Sequence, residues 1–207
     1  MFTIFRTAFV RSCSLLAMLG VQITSDAAFA SKDPLYSCPV RGQAISSIAQ
    51  DAPHVDILGV RYFLCCKECE ATFATTPDLY LKNKTVHLKG LNLFDPVTTK
   101  RIEEKDKKTW RHYAGIRYLF ADEKSAKLFD KSPKKYTQQP KTHLLFCPVS
   151  NEKVKTFEEA SDYSDYKGER IYFCCAGCKE PFDKEPAKYA SVIASFKATQ
   201  SKDSDKP

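Results

Sequence analysis

Cys147-Pro148-Val149, then Tyr166-Lys167-Gly168-Glu169, then Ile171-Tyr172-Phe173-Cys174-Cys175-Ala176-Gly177-Cys178: this stretch decides the fold, because the chain carries it twice. The earlier occurrence runs from Cys38-Pro39-Val40 through Gly59 to Tyr62-Phe63-Leu64-Cys65-Cys66-Lys67-Glu68-Cys69, displaced by 109 residues. In both, a Cys-Cys-x-x-Cys follows the Cys-Pro-Val by 27 positions. Eight of the nine cysteines fall into these two sets. Thiols that converge across such a loop have few chemical reasons to meet. They ligate a soft metal, form disulfides, or exchange between the two states.

The agreement extends to positions without chemistry. Gly59 and Gly168 each lie six residues before the Cys-Cys pair, and Phe73 and Phe182 eight after its first cysteine. Pro77 with Tyr80, and Pro186 with Tyr189, follow in the same register. A third occurrence lies between them. Asp95-Pro96-Val97 stands for Cys-Pro-Val, Ala121-Asp122 for the Cys-Cys pair and Ser125 for the last cysteine, while Gly115, Phe129, Pro133 and Tyr136 keep the framework. A fixed period of this kind signals repeated supersecondary units. The middle unit has kept the frame and lost every thiol.

The two cysteine-bearing segments, with their trailing Phe-x-x-x-Pro-x-x-Tyr, resemble the YHS and TRASH families of small cysteine-containing modules. The TRASH pattern maps onto Cys38, Cys65 and Cys69, and onto Cys147, Cys174 and Cys178. The gap after the first cysteine is longer than is usual in TRASH, and Cys66 and Cys175 are additional. The middle segment is closer to a degenerate YHS module. The resemblance implies heavy-metal binding, often the handling of copper.

Each unit is expected to be a knuckle, a β-hairpin and one or two short helices, an α+β arrangement of the zinc-ribbon or treble-clef kind. The hairpins are predicted at Val55–Leu58 with Arg61–Cys65, Trp110–Tyr113 with Arg117–Phe120, and Ser161–Tyr166 with Arg170–Cys174, with glycine at the turn. Ala176–Asp183 and Pro186–Phe196 read as helices, the second with proline in its first turn. The units are assigned to residues 31–85, 86–140 and 141–198, followed by a disordered tail over 199–207. At this size a core alone is marginal and a staple is expected. The middle unit, without one, should rely on Trp110, Tyr113, Tyr118, Leu119, Phe120 and Phe129 and on its neighbours, so that the three form one body.

Residues 1–30 read as a secretory leader. Arg6 and Arg11 precede an apolar run, and Ala28-Phe29-Ala30 places the cut after Ala30, removing Cys13. The protein is therefore expected in the periplasm or secreted, with no stable membrane insertion after cleavage. The net charge of +7 comes from scattered lysines, without the concentrated basic stripe that a nucleic-acid partner needs.

Three chemistries compete for the thiols. Metal is favoured: Cys38, Cys65, Cys66, Cys69, Cys147, Cys174, Cys175 and Cys178 are soft donors suited to Cu(I) or Zn(II). Such a protein would buffer metal, confer resistance or deliver it to a transporter or metalloenzyme client, without being an enzyme. Disulfides are the second reading, since exported thiols oxidise and closing one such loop contributes about 3–4 kcal/mol. A thiol–disulfide oxidoreductase is the third, on the C-x-x-C at each helix start, although the surrounding βαβ context is missing. His54, His87, His112 and His143 read as strand or surface residues and not as ligands.

Overall fold

Gly59, Gly115 and Gly168 sit in three tight hairpins. In the computed structural model, which describes residues 36–49, 51–82 and 88–204 apart from the side chains of Glu104 and 201–204, each hairpin turns on two residues at positive φ. These are Leu58-Gly59 (52° and 79°), Ala114-Gly115 (51° and 79°) and Lys167-Gly168 (50° and 79°). Positive φ at both positions is the type I′ turn, whose twist matches that of the flanking strands.

In chain order the elements are β1 (Tyr36–Ser37), β2 (Ala44–Ile45), β3 (His54–Ile57), β4 (Val60–Phe63), α1 (Lys67–Thr75), α2 (Pro77–Leu81) and β5 (Gly90–Asn92). There follow β6 (Thr109–Tyr113), β7 (Ile116–Phe120), α3 (Glu123–Lys131), α4 (Pro133–Tyr136), β8 (Thr142–Leu144), β9 (Phe146–Cys147) and β10 (Glu152–Lys153). The chain closes with β11 (Asp162–Tyr166), β12 (Glu169–Phe173), α5 (Ala176–Lys184), a 3-10 turn at Pro186–Tyr189 and α6 (Ala190–Ser204). It is a mixed α/β fold of small sheets and short helices. The predicted leader with Cys13, and His87, lie outside the described residues.

The Phe-x-x-x-Pro-x-x-Tyr spacing has a packing cause. Phe73, Phe129 and Phe182 are buried on α1, α3 and α5, the helices that follow the hairpins. Proline starts the next helical turn, where its missing N–H costs nothing. That turn brings the tyrosine back onto the phenylalanine, with ring centroids 6.2 Å apart for Phe73 and Tyr80, 6.4 Å for Phe129 and Tyr136, and 5.6 Å for Phe182 and Tyr189.

Strands β3, β4, β5, β7 and β6 form one five-stranded sheet in that order, and β11, β12 and β8 a second. Strand β5 joins the first two hairpins, antiparallel to β4 and parallel to β7. Gly90 is needed there, because a Cβ would lie 2.6 Å from the Arg61 carbonyl oxygen. Strand β8 runs parallel to β12 in the register that β5 takes on β7. The described residues all fall in one compact unit, Asp33–Pro207.

The middle segment is built into its neighbours. Leu93 and Phe94 belong to the same buried cluster as Ile171, Tyr172, Phe173 and Phe182. The Phe94 ring lies 5.5 Å from those of both Tyr163 and Tyr172. Phe94→Ala should therefore cost about 3–5 kcal/mol, read by urea denaturation. A loss below 1 kcal/mol (roughly, on the scale of a surface change) would show that this junction is not part of the core.

Two sequence expectations need correction. Trp110 is 46% exposed and sits outside the core, because it faces away from the helices and stacks on His112 at 4.7 Å. The tail expected from Thr199 continues α6 as far as Ser204. Phe196, stacked on Phe146 at 4.1 Å, anchors that helix, and adding residues to a formed helix is cheap.

His143 on β8 adds a pH dependence. Its Nδ1 is 2.9 Å from the Tyr172 hydroxyl, while Nε2 is buried without a hydrogen-bond partner. Burial, aided by the Arg170 charge, pulls its pKa from 6.5 down to about 4. Between these values the unfolded chain binds more protons than the folded one, so stability should fall as the pH drops from 6.5 toward 4. The loss should reach about 2–3 kcal/mol, with no contribution above the unfolded pKa. Urea unfolding at neutral and acid pH should show a smaller difference in His143→Gln; an equal one would refute the assignment.

Candidate metal centres

Each knuckle is a tight turn with the same backbone bonds. Cys38 N donates to the Gln43 carbonyl and Gly42 N to the Cys38 carbonyl; Asp95 N donates to Lys100 and Thr99 N to Asp95. In the third, Cys147 pairs with Glu152 across β9 and β10. The residue four past the knuckle position has positive φ each time: Gly42 at 69°, Thr99 at 66° and Asn151 at 59°. The turn aims the side chain of Cys38, Asp95 or Cys147 inward, and all three are fully buried.

The second half of each centre comes from the strand-to-helix junction. Cys66 and Cys175 are the N-cap residues of α1 and α5, in extended conformation, and neither makes a capping hydrogen bond. Cys65 and Cys174 precede them, and Cys69 and Cys178 lie one turn into the helix. The knuckle closes on this pair from the other side. The sulfurs of Cys38, Cys65 and Cys69 lie within 4.8 Å of one another, and so do those of Cys147, Cys174 and Cys178. Cys65 and Cys69 are 3.6 Å apart, Cys174 and Cys178 3.9 Å. These match sulfurs sharing one ion, about 3.8 Å for tetrahedral and 4.0 Å for trigonal geometry at a bond of about 2.3 Å.

Of the eight cysteines singled out from the sequence, six form the two triads. Cys66 and Cys175 stand beside them. Cys175 is exposed, with its sulfur 3.3 Å from that of Cys178. Among the described histidines none joins a triad: His54 bonds the Ala52 carbonyl, His112 accepts from Arg117, and His143 lies in β8.

The thiols do not ionise alike. Burial opposes charge on Cys38, but the backbone N–H groups of Arg41, Cys65 and Val40 outweigh it and hold the thiol below its ordinary range. Cys147 is likewise held low against burial, by the Ser150 hydroxyl and by the N–H groups of Cys174 and Ser150. Burial and then the neighbouring thiols push Cys65, Cys69 and Cys178 up; for Cys174 burial alone leads, opposed by Ser150. In each triad one thiol is thus held low and two are pushed up, and a cation close by favours the thiolate form of all three, which is the donor set a soft metal ion completes.

The middle knuckle explains why that segment holds together without thiols. Asp95 Oδ1 accepts from Val97 N at 2.8 Å and Thr98 N at 3.2 Å, and Oδ2 from Ala121 N at 3.3 Å. These are the positional counterparts of Val40, Arg41 and Cys65, the donors on Cys38. Asp122, in the place of Cys66, caps α3 by accepting from Ser125 N at 2.7 Å.

Sequence reading missed the residue three past each knuckle cysteine. In the first centre it is Arg41, whose exposed guanidinium holds its proton more firmly because of Cys69, Cys66 and Cys65. In the other it is Ser150, whose hydroxyl lies 3.3 Å from the Cys174 sulfur. The signal available was a cationic residue at this position beside one set of cysteines and a hydroxyl beside the other.

Comparison with known proteins agrees with this geometry at one end of the chain. The family model of the YHS domain matches residues 148–192, a segment that contains Cys174, Cys175 and Cys178 and begins just after Cys147. No curated protein and no solved structure matches the chain.

Proposed function

We propose that this chain is an exported metal-binding protein that holds one thiophilic ion, Cu(I) or Zn(II), in each of its two cysteine triads. It buffers the ion, confers resistance or passes it to a transporter or metalloenzyme client, and carries out no catalysis. The observation that carries the reading is the convergence of three sulfurs, twice, on equivalent knuckle and helix-start positions. In this reading residues 31–85, 86–140 and 141–198 are three tandem YHS/TRASH-like units behind a leader cleaved after Ala30, the middle one metal-free. The shared type I′ turns, knuckle bonds and Phe–Tyr packing support that organisation. Among the described residues no helix is long and apolar enough to cross a membrane.

Cys38, Cys65 and Cys69 would hold one ion and Cys147, Cys174 and Cys178 the other, the ion supplying the positive charge that lets the two helix-start thiols of each triad ionise. The disulfide reading is less well supported. The neighbouring sulfurs are 3.3 to 3.9 Å apart, well beyond a sulfur–sulfur bond of about 2.05 Å.

Metal analysis of chelator-free protein should return two equivalents, with thiols that react only after chelation. No metal, and no reactive thiol before reduction, would replace the proposal with disulfides. Cys66→Ser and Cys175→Ser should each keep both equivalents because they lie outside the triads. Loss of one equivalent from either variant would make that centre a four-thiolate site.

A further inference from the structure

The five-stranded sheet has two faces, and α1 and α3 cover only one. Register places Val55, Tyr62, Gly90, Ile116 and Tyr113 in a row on that covered face. The adjacent row, Asp56, Arg61, Leu91, Arg117 and His112, crosses all five strands on the opposite face. There the sheet opens into a cavity of about 640 Å³, whose apolar surface includes Phe63, Leu91 and Leu93 and whose walls carry Arg61, Arg101 and Arg117. This is the volume of a small-molecule site.

The three guanidiniums are not equally engaged. Arg61 is matched by Asp56, with bonds of 2.9 and 2.8 Å, and lies 3.3 Å from Glu158. Arg101 donates to the Phe157 carbonyl at 3.2 Å, but the Glu158 oxygen that Arg61 shares is 3.9 Å away. Its charge is half-buried, and burial pulls its pKa below the ordinary arginine range. Arg117 donates through Nε to His112 at 3.0 Å and lies over the rings of Tyr36 and Trp110, at 5.1 and 5.3 Å. Among the described residues it has no ion pair. Glu103, also on the cavity wall, is engaged by Lys105 at 2.9 Å. Two guanidiniums therefore face an apolar-floored cavity with donors left over, accessible to a ligand that enters it.

The geometry points to a binding site for a small organic carboxylate with an apolar or aromatic body. Its carboxylate is held between Arg101 and Arg117, and its body lies against Phe63, Leu91 and Leu93. Planar guanidinium forks suit a carboxylate better than any other common small anion except phosphate, and the apolar floor selects the carboxylate bearing a hydrocarbon body. The site involves no cysteine and does not rest on the metal reading.

The test is calorimetric titration of the full chain with 3-phenylpropionate and with the neutral 3-phenylpropanol. Emission of Trp110, the single tryptophan, gives a second readout through its contact with Arg117. The acid should bind at least about tenfold more tightly than the alcohol. Arg101→Gln and Arg117→Gln should each weaken it by about tenfold, and Arg101→Lys, which keeps the charge but loses the fork, by less. Thiol count and far-ultraviolet circular dichroism should stay unchanged. If Arg101→Gln does not fold, Arg117→Gln alone decides. Equal affinity for acid and alcohol, no binding of the acid up to about 10 mM, or a folded Arg117→Gln variant that binds as tightly as the parent would each overturn the proposal.

Discussion

Cys147→Ser is expected to leave the protein with one metal equivalent instead of two and to unfold much of residues 141–198. Cys147 is fully buried, packed in the cluster that contains Leu144, Ile171, Phe173 and Phe182. Serine nearly preserves the shape of the knuckle, so the change isolates the donor: a hard hydroxyl in place of a soft thiolate, which Cu(I) and Zn(II) bind poorly when neutral. Ion binding at structural thiolate sites contributes about 10–16 kcal/mol of apparent free energy, more than a unit of this size obtains from its core. Losing one of three ligands should cost several powers of ten in affinity. The centre at Cys38, Cys65 and Cys69 lies in a separate cluster and should keep its ion. Native mass spectrometry with chelator titration reads both results. Retention of two equally tight equivalents would exclude Cys147 as a ligand. One newly reactive thiol without any change in metal would mark it as half of a disulfide.

Much of the fold could be read from the sequence because the recurring positions are held by residues with narrow physical requirements. Gly59, Gly115 and Gly168 mark turns that need positive φ, and they located all three hairpins to within a residue or two. Phe73, Phe129 and Phe182, with their prolines and tyrosines, marked the helices. What was not legible depended on partners distant in sequence. Strand β5 is short and polar at its end, and only its pairing with β4 and β7 makes Gly90–Asn92 a strand. Trp110 looked like core because it is large and apolar, yet strand alternation puts it with His112 on the face away from α3. At the centres, the spacing supplied all six triad cysteines but could not rank them against Cys66 and Cys175. Adjacent cysteines leave a strand in opposite directions, and the knuckle determines which of the two is met. Arg41 and Ser150 went unread because only the folded knuckle brings them near the thiols.

The second large effect belongs to the segment that has no thiols. Asp95→Ala should destabilise the protein by about 2–4 kcal/mol, because three backbone donors lose their acceptor at a fully buried position. Asp95→Asn should cost about half as much: its carbonyl oxygen still serves Val97 and Thr98, while its amide faces the Ala121 N–H, donor against donor. A near-zero cost for both variants in urea denaturation would show that the carboxylate does not hold the knuckle. The same equivalence permits a gain-of-function experiment. Asp95 takes the N–H groups that the Cys38 thiol takes, and Ala121 and Ser125 occupy the places of Cys65 and Cys69. The triple change Asp95→Cys, Ala121→Cys and Ser125→Cys should therefore raise the metal content from two equivalents to three, while Asp122 continues to cap α3. A folded triple variant that still holds two would mean that matching backbone geometry is not sufficient to make a centre. The difference between the outer segments and the middle one would then lie beyond the ligands themselves, in groups that flank the thiols, such as the Arg41 charge and the Ser150 hydroxyl.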